Sequence, residues 1–165
     1  MAELWFQVVT RTTADREALT SYLQTHVFRE EIVGHERMIE GDPHNTALHN
    51  GVALLHAAVG DLDRAAAHFA ETLRENPDAP SAHYNVGMVA APGTIRRGWQ
   101  LFVKALSLNP DYAQGHDGLG QVRQRQGNMS EALQHYREAV RLAPGNVDSQ
   151  QRVAALERLL AGKEK

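Results

Sequence analysis

Four prolines, Pro43, Pro77, Pro110 and Pro144, follow one another at intervals of 34, 33 and 34 residues. A period of this length means that one supersecondary unit recurs, because each copy can bury its apolar face only against its neighbour. Other positions keep the same step. Three of the prolines close similar strings: Glu75-Asn76-Pro77, Leu108-Asn109-Pro110 and Leu142-Ala143-Pro144. Eight residues before these prolines stand the aromatics Phe69, Phe102 and Tyr136; twelve residues before them stand the small residues Ala65, Gly98 and Ala132. Further upstream lie Val52-Ala53, Val86-Gly87 and Leu119-Gly120, each a large apolar residue followed by a small one.

Within a unit the pattern is helix, turn, helix. Leu62, Ala65, Ala66, Phe69 and Leu73 recur at three- and four-residue steps, which puts them on one stripe of a helix. Met129, Ala132, Leu133, Tyr136, Ala139 and Val140 repeat that stripe two units on. Gly60 and Gly127 sit where a first helix must stop, since glycine accepts the left-handed conformation at a helix end. Asn128 followed by Glu131 has the spacing of a capping box. Each proline stops the second helix, because it has no N–H to donate and clashes with the preceding turn. Ala53, Gly87 and Gly120 would admit a close neighbouring helix, with Phe69, Phe102 and Tyr136 filling the space beside them.

These residues resemble tetratricopeptide repeats, 34-residue helix pairs with this small–large–small pattern and a closing proline. The resemblance implies an all-α fold, a right-handed α-α superhelix (solenoid) of antiparallel helix pairs, with units over residues 46–79, 80–112 and 113–146. Residues 13–45 read as a degenerate preceding unit of two helices, the second over 29–40 through Ile32, His35, Met38 and Ile39. Glu31 and His35 there replace the family's small residue and aromatic. Residues 147–160, with Val153, Leu156, Leu159 and Leu160 on one side, read as the helix that closes such arrays. Unit two is one residue short, and the loss falls between Gly87 and Gly93. Pro92 is therefore expected to end the first helix of that unit early or to kink it. Residues 1–12 stand apart: Leu4-Trp5-Phe6-Gln7-Val8-Val9-Thr10 favours extended structure and is read as the remnant of an upstream domain, with docking on the superhelix as the alternative.

Composition excludes several kinds of chemistry. There is no cysteine, so disulfides, thiol catalysis and cysteine-ligated zinc are absent. Seventeen basic against twenty acidic side chains give a net charge of −3, which disfavours nucleic acid as the partner. No apolar run approaches the roughly 20 residues of a membrane span, so no membrane insertion is expected. The chain is read as soluble, and cytoplasmic by default. Of nine histidines, His49, His83 and His116 hold equivalent places early in each first helix, which argues for a shared packing role rather than a converging metal site. His49 and His56 lack an evident third ligand. His35-Glu36 opens like a zinc-protease motif, but Ile39 stands where the second histidine is needed. Gly118-Leu119-Gly120 lacks the third glycine and the preceding strand of a dinucleotide site. Glu30 and Glu31 are adjacent on a helix and diverge by about 100°. No catalytic residue, metal ligand or cofactor is therefore assigned, and the chain is read as not an enzyme.

What the resemblance implies is a non-catalytic interaction module that binds a peptide or protein segment in the groove lined by the first helices. By position, the groove residues are Asn50, Leu54, Tyr84, Asn85, Met88, Gln114, Asp117, Gln121 and Gln124, with Tyr84 as the central anchor. The alternative is a structural module that assembles into homo-oligomers. Family members that hold a peptide's C-terminal carboxylate use Lys, Arg and two Asn. The matching places here are Asn50, Leu54, Asn85, Gln114 and Gly118, which offer no cation.

Overall fold

The computed structural model describes residues 13–90 and 95–162, and every regular element among them is helical. The elements are α1 (Thr13–Gly41), α2 (Thr46–Ala58), α3 (Leu62–Glu75), α4 (Pro80–Ala90), α5 (Ile95–Leu108), α6 (Ala113–Arg125), α7 (Met129–Leu142) and α8 (Val147–Ala161). The chain divides into two compact units, residues 1–65 and 66–165. The expected extended segment at residues 4–10 and the expected break at Pro92 lie outside the described residues.

In the first unit α1 packs on α2. The reading of residues 13–45 as two helices is corrected here: α1 is one helix of 29 residues. No glycine or proline stands between Thr13 and Arg29 to turn the chain, so nothing interrupts propagation of the helix. The side chain of Asn45 caps α2 by accepting from Leu48 N–H at 3.1 Å. Ile32 on α1 and Val52 and Ala53 on α2 are buried.

In the second unit α4 packs on α5, α5 on α6, α6 on α7 and α7 on α8, with a further contact between α4 and α6. Its core has two centres. Phe102, Leu119 and Val122 gather Tyr84, Trp99 and Leu106; Ala132, Leu133, Tyr136 and Leu156 gather Met129, Val153 and Leu160. The small residues do what their spacing predicts. A Cβ at Gly87 would lie 2.7 Å from Phe102 Cε1, and one at Gly120 would lie 2.6 Å from Tyr136 Cδ1. Neither ring could sit so close to an alanine. The closing helix α8 forms as expected, capped by Asn146 accepting from Ser149 N–H at 3.1 Å, and it buries Leu156 while Leu159 faces outward.

Both helix-ending glycines adopt the expected left-handed conformation, Gly60 at φ 81° and Gly127 at φ 82°. Behind them Asp61 N–H donates to His56 O and Asn128 N–H to Arg123 O, each at 2.9 Å, closing the last turn of the helix before. The capping box at Asn128 does not form: its side chain makes no cap bond. Glu131 reaches Arg123 Nε at 2.9 Å instead, an ion pair that satisfies the carboxylate from the neighbouring helix.

Candidate functional site

The repeat period places one polar side chain six residues after each proline, and the structure gives all four the same task. His49, His83 and His116 donate from Nε2 to the carbonyl oxygens of Pro43, Pro77 and Pro110 at 3.0, 2.8 and 3.1 Å. Gln150 does the same from Nε2 to Pro144 O at 2.6 Å. A carbonyl accepts only, so the bond fixes the imidazoles with their proton on Nε2. The equivalent histidines thus clasp the turn between repeats.

The next residues along each helix are the groove positions expected from the sequence. Asn50 and Leu54 stand on α2 of the first unit, with Leu54 exposed. In the second unit α4 carries Tyr84, Asn85 and Met88, and α6 carries Gln114, Asp117, Gln121 and Gln124. Met88, Gln114 and Gln124 are exposed, and Asn85 and Gln121 are half-buried.

One of the expected contacts with a ligand is spent inside the fold, and a second is partly covered by it. Asp117 is buried and receives four hydrogen bonds. Ser149 Oγ donates to Oδ1 at 2.9 Å, Arg152 Nη1 to Oδ1 and Oδ2 at 2.9 and 3.0 Å, and Gln121 Nε2 to Oδ2 at 2.8 Å. That network ties α6 to α8 and leaves Asp117 no surface to offer. Tyr84 is half-buried: its ring lies 5.7 Å from Phe102 and 5.9 Å, edge-on, from Tyr112. Burial, and the Asp117 charge after it, push its phenol up to about 12. The side chain stays half-buried, packed against the core from its edge.

The concavity of the second unit is built from residues that the sequence reading only partly names. A cavity of about 460 Å³ is lined by Gln121, Gln124, Arg125, Met129, Tyr136 and Arg152. Tyr136 O–H donates to Gln124 Oε1 at 2.8 Å, which turns that amide's acceptor inward and orients its NH2 group. The Arg152 guanidinium lies 5.8 Å from the centre of the Tyr136 ring. Arg152 continues along α8 into a second hollow of about 380 Å³ with Asp148, Gln151 and Ala155. The five places that match the carboxylate clamp offer no cation, but Arg125 and Arg152 line this cavity from other positions. Arg152 was legible in principle. It stands eight residues after Pro144, the same offset as Asn85 from Pro77 and Gly118 from Pro110, so carrying the repeat register into the closing helix finds it.

The first unit has its own cavity, about 390 Å³, lined by Arg29, Ile32, Val33, Glu36, His56, Val59, Asp61 and Arg64. Buried His56 lies between two carboxylates, with Glu36 Oε1 3.4 Å from its Nε2 and Asp61 Oδ2 3.9 Å from its Nδ1. Neither Asn50 nor Leu54 lines this cavity.

Short antiparallel helix pairs in series, with glycine ends and a closing helix, define a helical-repeat protein. The repeats are tetratricopeptide repeats: residues 113–146 and 52–91 each match a sequence model described as that repeat. None of the curated protein sequences compared matches the chain. Solved structures agree on the fold. The crystal structure of MamA is similar at a TM-score of 0.66 with 16% identity, over 93% of this chain and 87% of that one. TTC0263, a thermophilic TPR protein of Thermus thermophilus, gives 0.70 and 20%, over 81% and 75%. The first TPR of Spaghetti (RPAP3), solved bound to the HSP90 peptide SRMEEVD, gives 0.63 and 17%, over 73% and 96%. At these identities the likeness concerns the fold alone. The fold is a general module for protein–protein interaction, and no described helix is long and apolar enough to cross a membrane.

Proposed function

We propose that the chain is a non-catalytic binding module that takes an extended peptide segment of a partner protein against α6 and α8 of its second unit. The observation that carries this reading is the cavity between Gln121, Gln124, Arg125, Met129, Tyr136 and Arg152. Its walls supply what an extended peptide needs. Two amides offer donors and acceptors to a backbone, Met129 offers a pliant apolar contact, and two guanidiniums offer charge-assisted donors to an acidic side chain. Arg152 is held in place by Asp117, so little side-chain entropy is lost when a ligand meets it. That a neighbour of the same fold was solved with an acidic peptide is consistent with this chemistry.

The test starts from peptides selected out of a random display library on the purified chain. Calorimetry should find selected peptides weakened by about 1–2 kcal/mol by Arg125→Ala or Gln124→Ala, the cost of truncating one productive interface contact. Arg74→Ala should have no effect, because that exposed side chain pairs with Glu71 and Glu75 on α3. Loss of binding in Arg74→Ala with retention in the other two would move the site off this cavity. A library that yields no binder, together with concentration-dependent oligomers by light scattering, would favour self-assembly instead.

A further inference from the structure

The two hollows of the second unit adjoin at Arg152, which lines both, and they differ in charge. The larger holds Arg125 and no carboxylate; the smaller holds Asp148, the one carboxylate that lines either. We propose that Asp148 sets the specificity of the groove. The bound segment carries an acidic side chain into the cavity at Arg125 and a basic one into the hollow at Asp148, an even number of residues away. This rests on the peptide reading above and adds a second charge to its ligand.

Asp148, Gln151, Arg152 and Ala155 recur at three- and four-residue steps, so they share one face of α8. Asp148, Gln151 and Ala155 are exposed on that face. Among the described residues the Asp148 carboxylate enters no salt bridge. Arg152 does not cancel its charge, because Nη1 of Arg152 donates to both oxygens of buried Asp117 at 2.9 and 3.0 Å. That pair is neutral as a unit, which leaves the charge of Asp148 as the net charge of the smaller hollow. The potential therefore changes sign from one hollow to the next, and a segment bearing only one kind of charge complements only one of them. Side chains of an extended strand alternate, so two that face one groove stand an even number of residues apart. Ala155 leaves room for the aliphatic stem of a lysine or arginine whose head group reaches Asp148. A carboxylate in the first turn also favours α8 itself, so the decisive measurement is of the peptide's charge rather than of stability.

The test selects peptides from a random display library on the full parent chain, then compares them on Asp148→Asn and Asp148→Lys, with circular dichroism to confirm that both variants stay helical. Parent selections should be enriched in an acidic residue and a lysine or arginine at an even spacing. Selected peptides are then synthesised with both termini capped, so that only side chains carry charge. Asp148→Asn should weaken them about two- to fivefold, the worth of one exposed ion pair. Replacing the peptide's basic residue by Glu should weaken binding to the parent and strengthen binding to Asp148→Lys. A purely structural role for Asp148 would give no such reciprocal rescue. Peptides that lose affinity in Arg125→Ala but show no basic preference and no rescue would overturn the role of Asp148 and leave the peptide site standing. Failure to select any peptide, or peptides indifferent to both Arg125→Ala and Gln124→Ala, would overturn the site itself and this role with it.

Discussion

At the scale of single residues, the tight contacts are those where a glycine faces an aromatic ring. Tyr136 cannot retreat from Gly120, because it is fully buried and its hydroxyl is tied to Gln124. Gly120→Ala is therefore expected to destabilise by about 1–3 kcal/mol through overpacking. Gly51 also lies within a helix, but a Cβ placed there would meet nothing within 4 Å. Gly51→Ala should stabilise by up to about 1 kcal/mol, the helix-propensity difference between the two residues. Urea unfolding of the two variants beside the parent measures both. A neutral Gly120→Ala would mean that the ring has room the structure does not show. The phenols make a further prediction. Tyr84 and Tyr136 are both raised to about 12, chiefly by burial and then by Asp117. Their folded-state values exceed the unfolded value near 10, so their contribution is complete below pH 10 and is lost as pH rises toward 12. Phenolate absorbance for these two should rise together with loss of helical ellipticity, and not before it.

At the scale of elements, two devices join one helix to the next. The clasp six residues after each proline needs a donor at one point in space, and imidazole or carboxamide serves. His83→Gln is expected to be nearly neutral, whereas His83→Ala should cost about 1 kcal/mol, the net worth of a hydrogen bond. Thermal melts of the pair separate the two outcomes. The second device is the buried Asp117 network between α6 and α8. Arg152→Met removes two of its four hydrogen bonds and strands part of a buried charge, which should destabilise by about 1–3 kcal/mol. Hydrogen exchange should then quicken in α8 ahead of α4 and α5, because Ser149 alone is left to tie α8 to Asp117 on α6. Uniform exchange throughout would mean that the network is not what anchors the closing helix.

At the scale of the whole molecule, far-ultraviolet circular dichroism should be dominated by helix, and a sheet-rich spectrum would contradict the fold. Most of that fold was legible in the amino-acid order. Period, helix pairs, glycine ends and the Gly87–Phe102 and Gly120–Tyr136 contacts all follow from positions within a single repeat or its immediate neighbour. Local spacing and the side-chain sizes that match it are enough to specify them. The site was less legible. Sequence position put Asp117 and Tyr84 on the binding face, but whether a side chain on that face turns outward or is held by the next helix depends on what the next helix brings. Ser149 and Arg152 arrive from more than thirty residues away and draw Asp117 inward; Phe102 and Tyr112 pack on the ring of Tyr84 and leave it half-buried. The single long α1 also escaped the period, because Pro43 kept the phase while no breaker divided the residues before it. Amino-acid order thus specifies the repeat and its internal packing, because both are periodic along the chain. Which polar groups are consumed in joining repeats, and which line a hollow as Asp148 does, emerges once the helices are stacked. That division rests on the register of one helix across another, which no spacing along a single helix encodes.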